Sequence, residues 1–504
     1  MQASLRTALV VVLASGGVVV RAGAQDPRSG LDPITSGVMG HPITTSSAAA
    51  RGQFLAGQRE SDLFRPIDAN EHFKAAVAAD STFAFAYLNV ALTANSTEEF
   101  KRNLAFAERY AAGASEAERL QIEMARKGFD NDLTGQLALG QRLVEQYPAS
   151  PRAWLALAAV QSALNRNEAA RTSIRKALAL APRMFAAHIA LGNSYIFGEP
   201  RDFTQAVEHM QQAEQLAPDE PSGHFQLGGA YRAQRNLEKA RAEYTRGHEL
   251  NPQDPFLFVM LGHVNTFLGD YAAARADYDS GGAVGRSQQK VAFAPFRALV
   301  SVYAGDPAAA IDELNQQVAS IDGMGVPDPT GAKVTALTSV AQIAIHIRNA
   351  TAAEDALKHL GPMLMRQADE AGNPAFRRGQ EAVIAYFEGW WAARRGDYAA
   401  AQKQADRINQ LLAPDANPRK LEPMHQLEGF IALYQSKYQD AATHFLKGNL
   451  LDPYIKYQLA VATEGAGDVA QAKQLFLEVA NFNFNTLGFA LVRKDAQRKA
   501  SGAL

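Results

Sequence analysis

The chain of 504 residues contains no cysteine. This excludes disulfides, cysteine-ligated zinc, iron–sulfur clusters and thiol nucleophiles. It also excludes a lipid-modified N-terminal cysteine as an anchor. Neither sign of charge is in excess, with 50 Lys and Arg against 52 Asp and Glu. Bulk electrostatics therefore favours neither a nucleic acid nor an anionic membrane as partner. Period-two alternation with β-branched enrichment is missing, so no strands are expected. Motifs that carry chemistry are missing too. No lysine follows a glycine, so there is no Walker phosphate loop. The only His-Glu pair is His248-Glu249, and Pro252 stands where a zincin needs its second histidine. No serine sits in a Gly-x-Ser-x-Gly elbow. The run from Gly281 to Arg286 is glycine-rich, but it follows a helical pattern rather than a strand and reads as a frayed helix end. These absences lead to the expectation of no catalytic residue, no cofactor and no metal.

Long apolar runs are missing except at the start. Arg6 precedes an apolar run from Ala8 to Val20, which Arg21 closes before Ala22-Gly23-Ala24. This is the order of a secretory signal peptide, residues 1–24, cut after Ala24. The run is short for a span of about 20 residues. The reading is a mature protein with no membrane span, in the periplasm or secreted. Residues 25–47 are rich in Gly, Pro, Ser and Thr and read as a flexible leader.

From Ala48 onward, Ala, Leu, Gln, Glu, Arg and Lys dominate, all good helix formers. Prolines follow helical patterns at Pro148, Pro182, Pro218 and Pro252, spaced 34, 36 and 34 residues apart. A fixed period near 34 marks a repeat architecture. Residue sizes recur with it. One unit has Trp154, Leu157 and Ala158, then Ala170, Ile174 and Ala177. The next has His188, Leu191, Gly192 and Tyr195, then Ala206, Met210 and Ala213. A third has His224, Leu227, Gly228 and Tyr231, then Ala240, Tyr244 and Gly247. A fourth has Phe258, Leu261 and Gly262, then Ala274, Tyr278 and Gly281. Small residues sit where two antiparallel helices must approach, and large ones fill the space between. Gly-Asp turns at Gly269-Asp270, Gly396-Asp397 and Gly467-Asp468 end one helix and cap the next.

This pattern resembles the tetratricopeptide repeat, whose unit carries W-x2-L-G-x2-Y in a first helix and A-x3-F in a second, with a later proline. The resemblance covers roughly residues 48–500, in about nine to eleven units. It implies an all-α fold, an α-solenoid that winds as a right-handed superhelix. The array reads as 48–321, a Gly/Pro-rich joint at 322–331, a second array at 332–484 and a capping helix at 485–504, with Asn485 and Thr486 as cap residues. The resemblance further implies a concave groove lined by the first helix of each unit. Its lining residues here are Asn193, Phe225, Arg232, Val259, His263 and Thr266. Trp390 joins them, because two adjacent tryptophans, Trp390 and Trp391, cannot both pack equally well against one neighbouring helix. The expected activity is that of a non-enzymatic scaffold holding a peptide or helix of another protein in that groove. Some family members clamp a C-terminal carboxylate with Lys and Asn. Asn193 matches one clamp position, but Ile189 replaces the lysine, which argues against that ligand. The alternative is a carbohydrate- or nutrient-binding component of an outer-membrane uptake system, although such proteins usually carry the anchor cysteine that is missing here.

The eleven histidines are dispersed along the sequence. His188 and His224 occupy the slot of Trp154 and read as packing residues. His209, His248 and His263 read as lying on different helical faces.

Overall fold

The computed structural model describes residues 40–502. The signal segment 1–24 and most of the leader 25–47 lie outside the described residues. Within them the chain forms 25 α-helices and two short 3₁₀ segments, with no strand. In chain order these are α1 Ala48–Asp62, α2 Pro66–Ala79, α3 Ala84–Leu92, α4 Thr97–Tyr110, α5 Glu116–Phe129, α6 Leu133–Gln146, α7 Pro151–Ala163 and α8 Asn167–Leu180. There follow α9 Phe185–Phe197, α10 Phe203–Leu216, α11 Pro221–Ala233, α12 Leu237–Leu250, α13 Pro255–Leu268, α14 Tyr271–Val284, α15 Ser287–Ala304 and α16 Pro307–Ser320. The remainder are α17 Pro329–Ile347, α18 Ala350–Ala371, α19 Pro374–Arg394, α20 Tyr398–Leu412, α21 Glu422–Tyr434, α22 Tyr438–Phe445, α23 Pro453–Gly465, α24 Val469–Ala480 and α25 Leu487–Ser501. Consecutive helices pair, which makes twelve pairs before α25. That is one more than the upper figure read from the sequence, because the first hundred residues are degenerate in motif but not in fold.

The pairs divide into two compact units. One runs to Leu257 and includes Ala416–Pro418; the other is Phe258–Asp415 with Arg419–Leu504. The Gly/Pro-rich stretch 322–331 is therefore not the joint. There the chain turns through Gly325 at a left-handed φ of 63°. Packing runs on across it: Leu299 and Leu314 before the stretch share one core cluster with Val334 and Leu337 after it. One core cluster extends from α15 and α16 through α17 and α18 into the later helices.

Within most pairs, the turn is set by one left-handed residue. Gly269, Gly305, Gly396 and Gly467 hold φ between 82° and 96°. The aspartate that follows each glycine caps the next helix, as Asp397 does by accepting from the Ala400 amide at 3.0 Å. Asn131, Asn165, Arg235 and Ser436 fill the same turn elsewhere at φ 56–66°. These turns carry no Gly-Asp signature, and that is why the motif locates only part of the array.

The small and large positions meet as their spacing predicts. A Cβ on Gly228 would stand 2.5 Å from the Tyr244 ring, and one on Gly429 would stand 2.7 Å from Phe445. Two antiparallel helices thus approach until an aromatic ring lies against a glycine backbone, and close packing is gained on both sides.

Candidate functional site

The slot that holds Trp154 shows why histidine can replace tryptophan. Trp154 Nε1 donates to the Pro148 carbonyl at 2.9 Å. His188 Nε2 reaches the Pro182 carbonyl at 3.0 Å, and His224 Nε2 reaches that of Pro218 at 3.1 Å. Each ring nitrogen satisfies the carbonyl six residues back, where a proline has ended the preceding helix. Both histidines are packing residues, as their register suggests.

The second nitrogen of each ring faces the paired helix. His224 Nδ1 donates to Glu243 at 2.8 Å. With a carboxylate and a carbonyl facing its two nitrogens, the ring is placed to favour its protonated form. The Glu243 carboxylate holds its pKa above the ordinary value, against the opposing effect of burial. His188 instead meets His209, with Nδ1 atoms 3.4 Å apart. His209 does not sit on a separate face, as its sequence position suggests; two extra residues in the intervening turn carry it into the partner position. His188 donates from Nε2, so its Nδ1 accepts from His209. Burial, then the neighbouring His188 and Arg175, push His209 down to about 4. In the other unit, burial and Arg394 push His346 down to about 4 as well.

The sign follows from linkage. Between pH about 4 and 6.5 the unfolded chain protonates these two rings and the folded chain does not, so stability rises with pH through that window. His224 acts oppositely: its contribution is complete below pH 6.5 and is lost as pH climbs through its raised folded value. We expect His209→Gln and His346→Gln each to flatten the stability–pH curve between pH 4 and 6.5, by at most about 3 kcal/mol at the acid end. The effect should be smaller at His209, the less deeply buried of the two rings and the more screened by water. Melting temperature as a function of pH, variant against wild type, checks this. Parallel curves would be the contrary result.

The predicted groove residues separate sharply. In the unit ending at Leu257, Asn193 and Phe225 are half-buried, whereas Arg232 is 6% exposed. Val259, His263 and Thr266 in the other unit are 1%, 4% and 0% exposed, and Trp390 is 2% exposed. These five are core residues rather than contact residues. Trp390 stacks on Phe430 with centroids 4.9 Å apart, and its Nε1 donates to Tyr434 Oη at 3.1 Å. Trp391 is also buried, with Arg395 over its ring. The fold thus buries both indoles, each among different neighbours.

His263 is buried for a reason that lies far along the chain. Asn485 donates from Nδ2 to Tyr278 Oη at 3.0 Å and sits 3.1 Å from His263 Nδ1. Two residues later α25 begins, capped by Thr486, which accepts from the Phe489 amide at 3.2 Å. Phe489 is fully buried and meets Phe267 edge-on. Arg493 lies over the Phe267 ring and donates to its carbonyl at 3.3 Å. Asp495 accepts from the Tyr457 hydroxyl on α23. Helix α25 also packs against α15 and α17, both first helices of their pairs. The first-helix side of this unit is occupied by the chain's own end.

Among the described residues, no terminal helix packs on the corresponding side of the other unit in this way. On α7, α9 and α11 a stripe of residues remains half-buried. It comprises Leu155 and Ala159, then Ala186, Ala190 and Asn193, then Ser222, Phe225 and Gly229. Spacings of three and four place each set on one helical face. A cleft of about 670 Å³ in the same unit has Asp80 as its single lining carboxylate. Thr45 Oγ1 donates to that carboxylate at 2.6 Å, and together with Thr82 holds its pKa below the usual range. Asp80 is thereby committed to tying residues 44–46 to α2 and is not a free base. No helix among the described residues is long and apolar enough to cross a membrane.

The tetratricopeptide repeat family matches the chain twice, at residues 151–184 and 221–254. No curated protein matches it. Among solved structures, a thermophilic tetratricopeptide-repeat protein of Thermus thermophilus is 21% identical, covering 35% of this chain and 97% of that one, at a TM-score of 0.30. The type IV pilus biogenesis factor PilW is 17% identical, covering 43% of this chain and 98% of its own, at 0.33. A tetratricopeptide repeat protein from Parabacteroides merdae is 12% identical, covering 57% and 99%, at 0.33. These are likenesses of repeat type, and neither partner nor process is taken from them.

Proposed function

We propose, from the two tetratricopeptide-repeat matches at residues 151–184 and 221–254, that the chain is a non-enzymatic scaffold that binds a peptide or helix of another protein. The proposed contact face is the first-helix side of α7, α9 and α11. The observation that carries this reading is the half-buried stripe through Leu155, Ala190, Asn193 and Phe225. It is small and apolar at its centre, with a polar amide beside it, as a recessed surface for a helix requires. The seating of α25 on first helices of the other unit supports the same reading, since the segment taken there is itself a helix. The N-terminal pattern adds a location outside the cytoplasm, in the periplasm or beyond, with a mature chain beginning at Gln25.

The test uses full-length protein as bait in an extract of that compartment. Phe225→Ser combined with Asn193→Asp should abolish retention of the partner, whereas Thr245→Asp on the exposed face of α12 should not. Melting curves confirm that each variant is folded. Retention unchanged by the first variant and lost with the second would overturn the reading. The intact mass of the exported protein checks the cleavage site separately.

A further inference from the structure

Two histidines and a glutamate converge on the helix pair α21/α22. His425 stands in the slot of Trp154, and Glu428 stands where other units carry Leu157, Leu191, Leu227 and Leu261. His444 projects from α22. His425 Nδ1 and His444 Nδ1 are 3.4 Å apart. Glu428 Oε2 lies 3.3 Å from the first and 2.8 Å from the second. The three ligand atoms all fall within 4.8 Å of one another.

The neighbouring pair shows what this position does in the ordinary case. In α19/α20 the corresponding glutamate, Glu388, simply accepts from Gln404 at 2.9 Å. Gln404 follows Gly389 by fifteen residues, as His444 follows Gly429. One donor and one acceptor suffice there. In α21/α22 two imidazoles aim the same nitrogen at one carboxylate oxygen and at each other. No assignment of protons on neutral rings lets each Nδ1 meet both of its neighbours as a donor–acceptor pair.

We propose that His425, Glu428 and His444 form a binding site for a zinc-class divalent cation. Two imidazole nitrogens and one carboxylate are a zinc ligand set. Bonds of about 2.0–2.1 Å in a tetrahedron place ligand atoms about 3.3–3.4 Å apart, which the two histidine nitrogens already satisfy. The Glu428–His444 contact opens by about half an ångström to match. The three side chains keep 20%, 21% and 31% of their surface exposed for His425, Glu428 and His444 respectively. The fourth position therefore faces solvent and takes water or a side chain from a partner. His425 and Glu428 are one helical turn apart, and α22 is joined to α21 by a turn fixed at Ser436, φ 60°. The ligands are thus positioned before the ion arrives, and binding needs little rearrangement.

The test is titration of metal-stripped full-length protein with Zn²⁺ against a chromogenic chelator, repeated with Co²⁺ to read the ligand field. One ion per chain is expected, with the absorption of a four-coordinate Co²⁺ site. His444→Gln should weaken binding by more than the roughly 10–100-fold that loss of a merely supporting residue costs. Glu428→Gln should weaken it less but change the Co²⁺ spectrum. His209→Gln, which removes one ring of the other close histidine pair, should change neither. Should His444→Gln unfold the protein, Glu428→Gln alone decides through the spectrum. Equal affinity and an identical spectrum in the α21/α22 variants, or loss of the ion on His209→Gln, would overturn the proposal.

Discussion

Trp390→Ala should lower the stability of the unit that contains it by about 3–5 kcal/mol, the range for removing a fully buried tryptophan. Three losses combine. The indole is 2% exposed, so its apolar surface is withdrawn from the core entirely. Its stacking on Phe430 and its edge contact with Tyr454, 5.7 Å away at 64°, both disappear. The Tyr434 hydroxyl loses the Nε1 donor in a setting where burial already raises its pKa. Repeat arrays transmit such losses mainly to neighbouring pairs, so the early pairs should keep their stability. Urea unfolding followed by circular dichroism measures the total, and amide exchange locates it. A shift below about 1 kcal/mol would mean that Trp390 lies at a surface after all. Trp154→Ala is the matched comparison. That ring is only half-buried, so its cost should be clearly smaller.

Loss of either partner of the Arg65–Glu220 pair should cost about as much, 3–5 kcal/mol, for an electrostatic reason. The two side chains are 8% and 2% exposed, and they join the turn after α1 to the start of α11 across 155 residues. Arg65 also contacts Glu60 at 3.2 Å. Arg65→Met leaves the Glu220 carboxylate buried without its guanidinium. It also removes the charge that restrains Asp254, which burial already pushes up to about 6. The pH at which Asp254 titrates should therefore rise in that variant. Arg65→Met combined with Glu220→Leu should recover most of the loss, since an apolar pair of similar volume replaces a desolvated ion pair at little net cost. Additive losses in the double variant would show that the pair acts through packing rather than charge.

The elements legible in the sequence were those fixed by local rules. Pro148, Pro182, Pro218 and Pro252 mark real helix ends, and Gly228 with Tyr244 and Gly429 with Phe445 mark real close approaches. Both are short-range: a helix stop and a pair of facing positions within one unit. The groove was legible only as a direction. Register says which way His263 points, but not that Asn485, over two hundred residues later, lies against it. Trp390 departs from the repeat pattern because its neighbours Phe430, Tyr434 and Tyr454 supply an aromatic pocket, not because a partner does. The histidine contacts did leave a signal. Gln53 with His72, His224 with Glu243, and His425 with His444 are each nineteen residues apart. Alignment of the units on that spacing, rather than on the Trp slot alone, brings His425, Glu428 and His444 together without coordinates.

The most direct test of the scaffold account is site-specific photo-crosslinking in the full-length protein. A photoreactive residue is placed at Phe225, at Asn193, or at Thr245 on the outer face of α12. It is irradiated in cells of the source organism, and the joined peptides are sequenced. The account predicts that positions 193 and 225 crosslink to the same segment of one other protein, while position 245 does not. Crosslinks to that protein from position 245 alone, with positions 193 and 225 joined only to this chain, would contradict it.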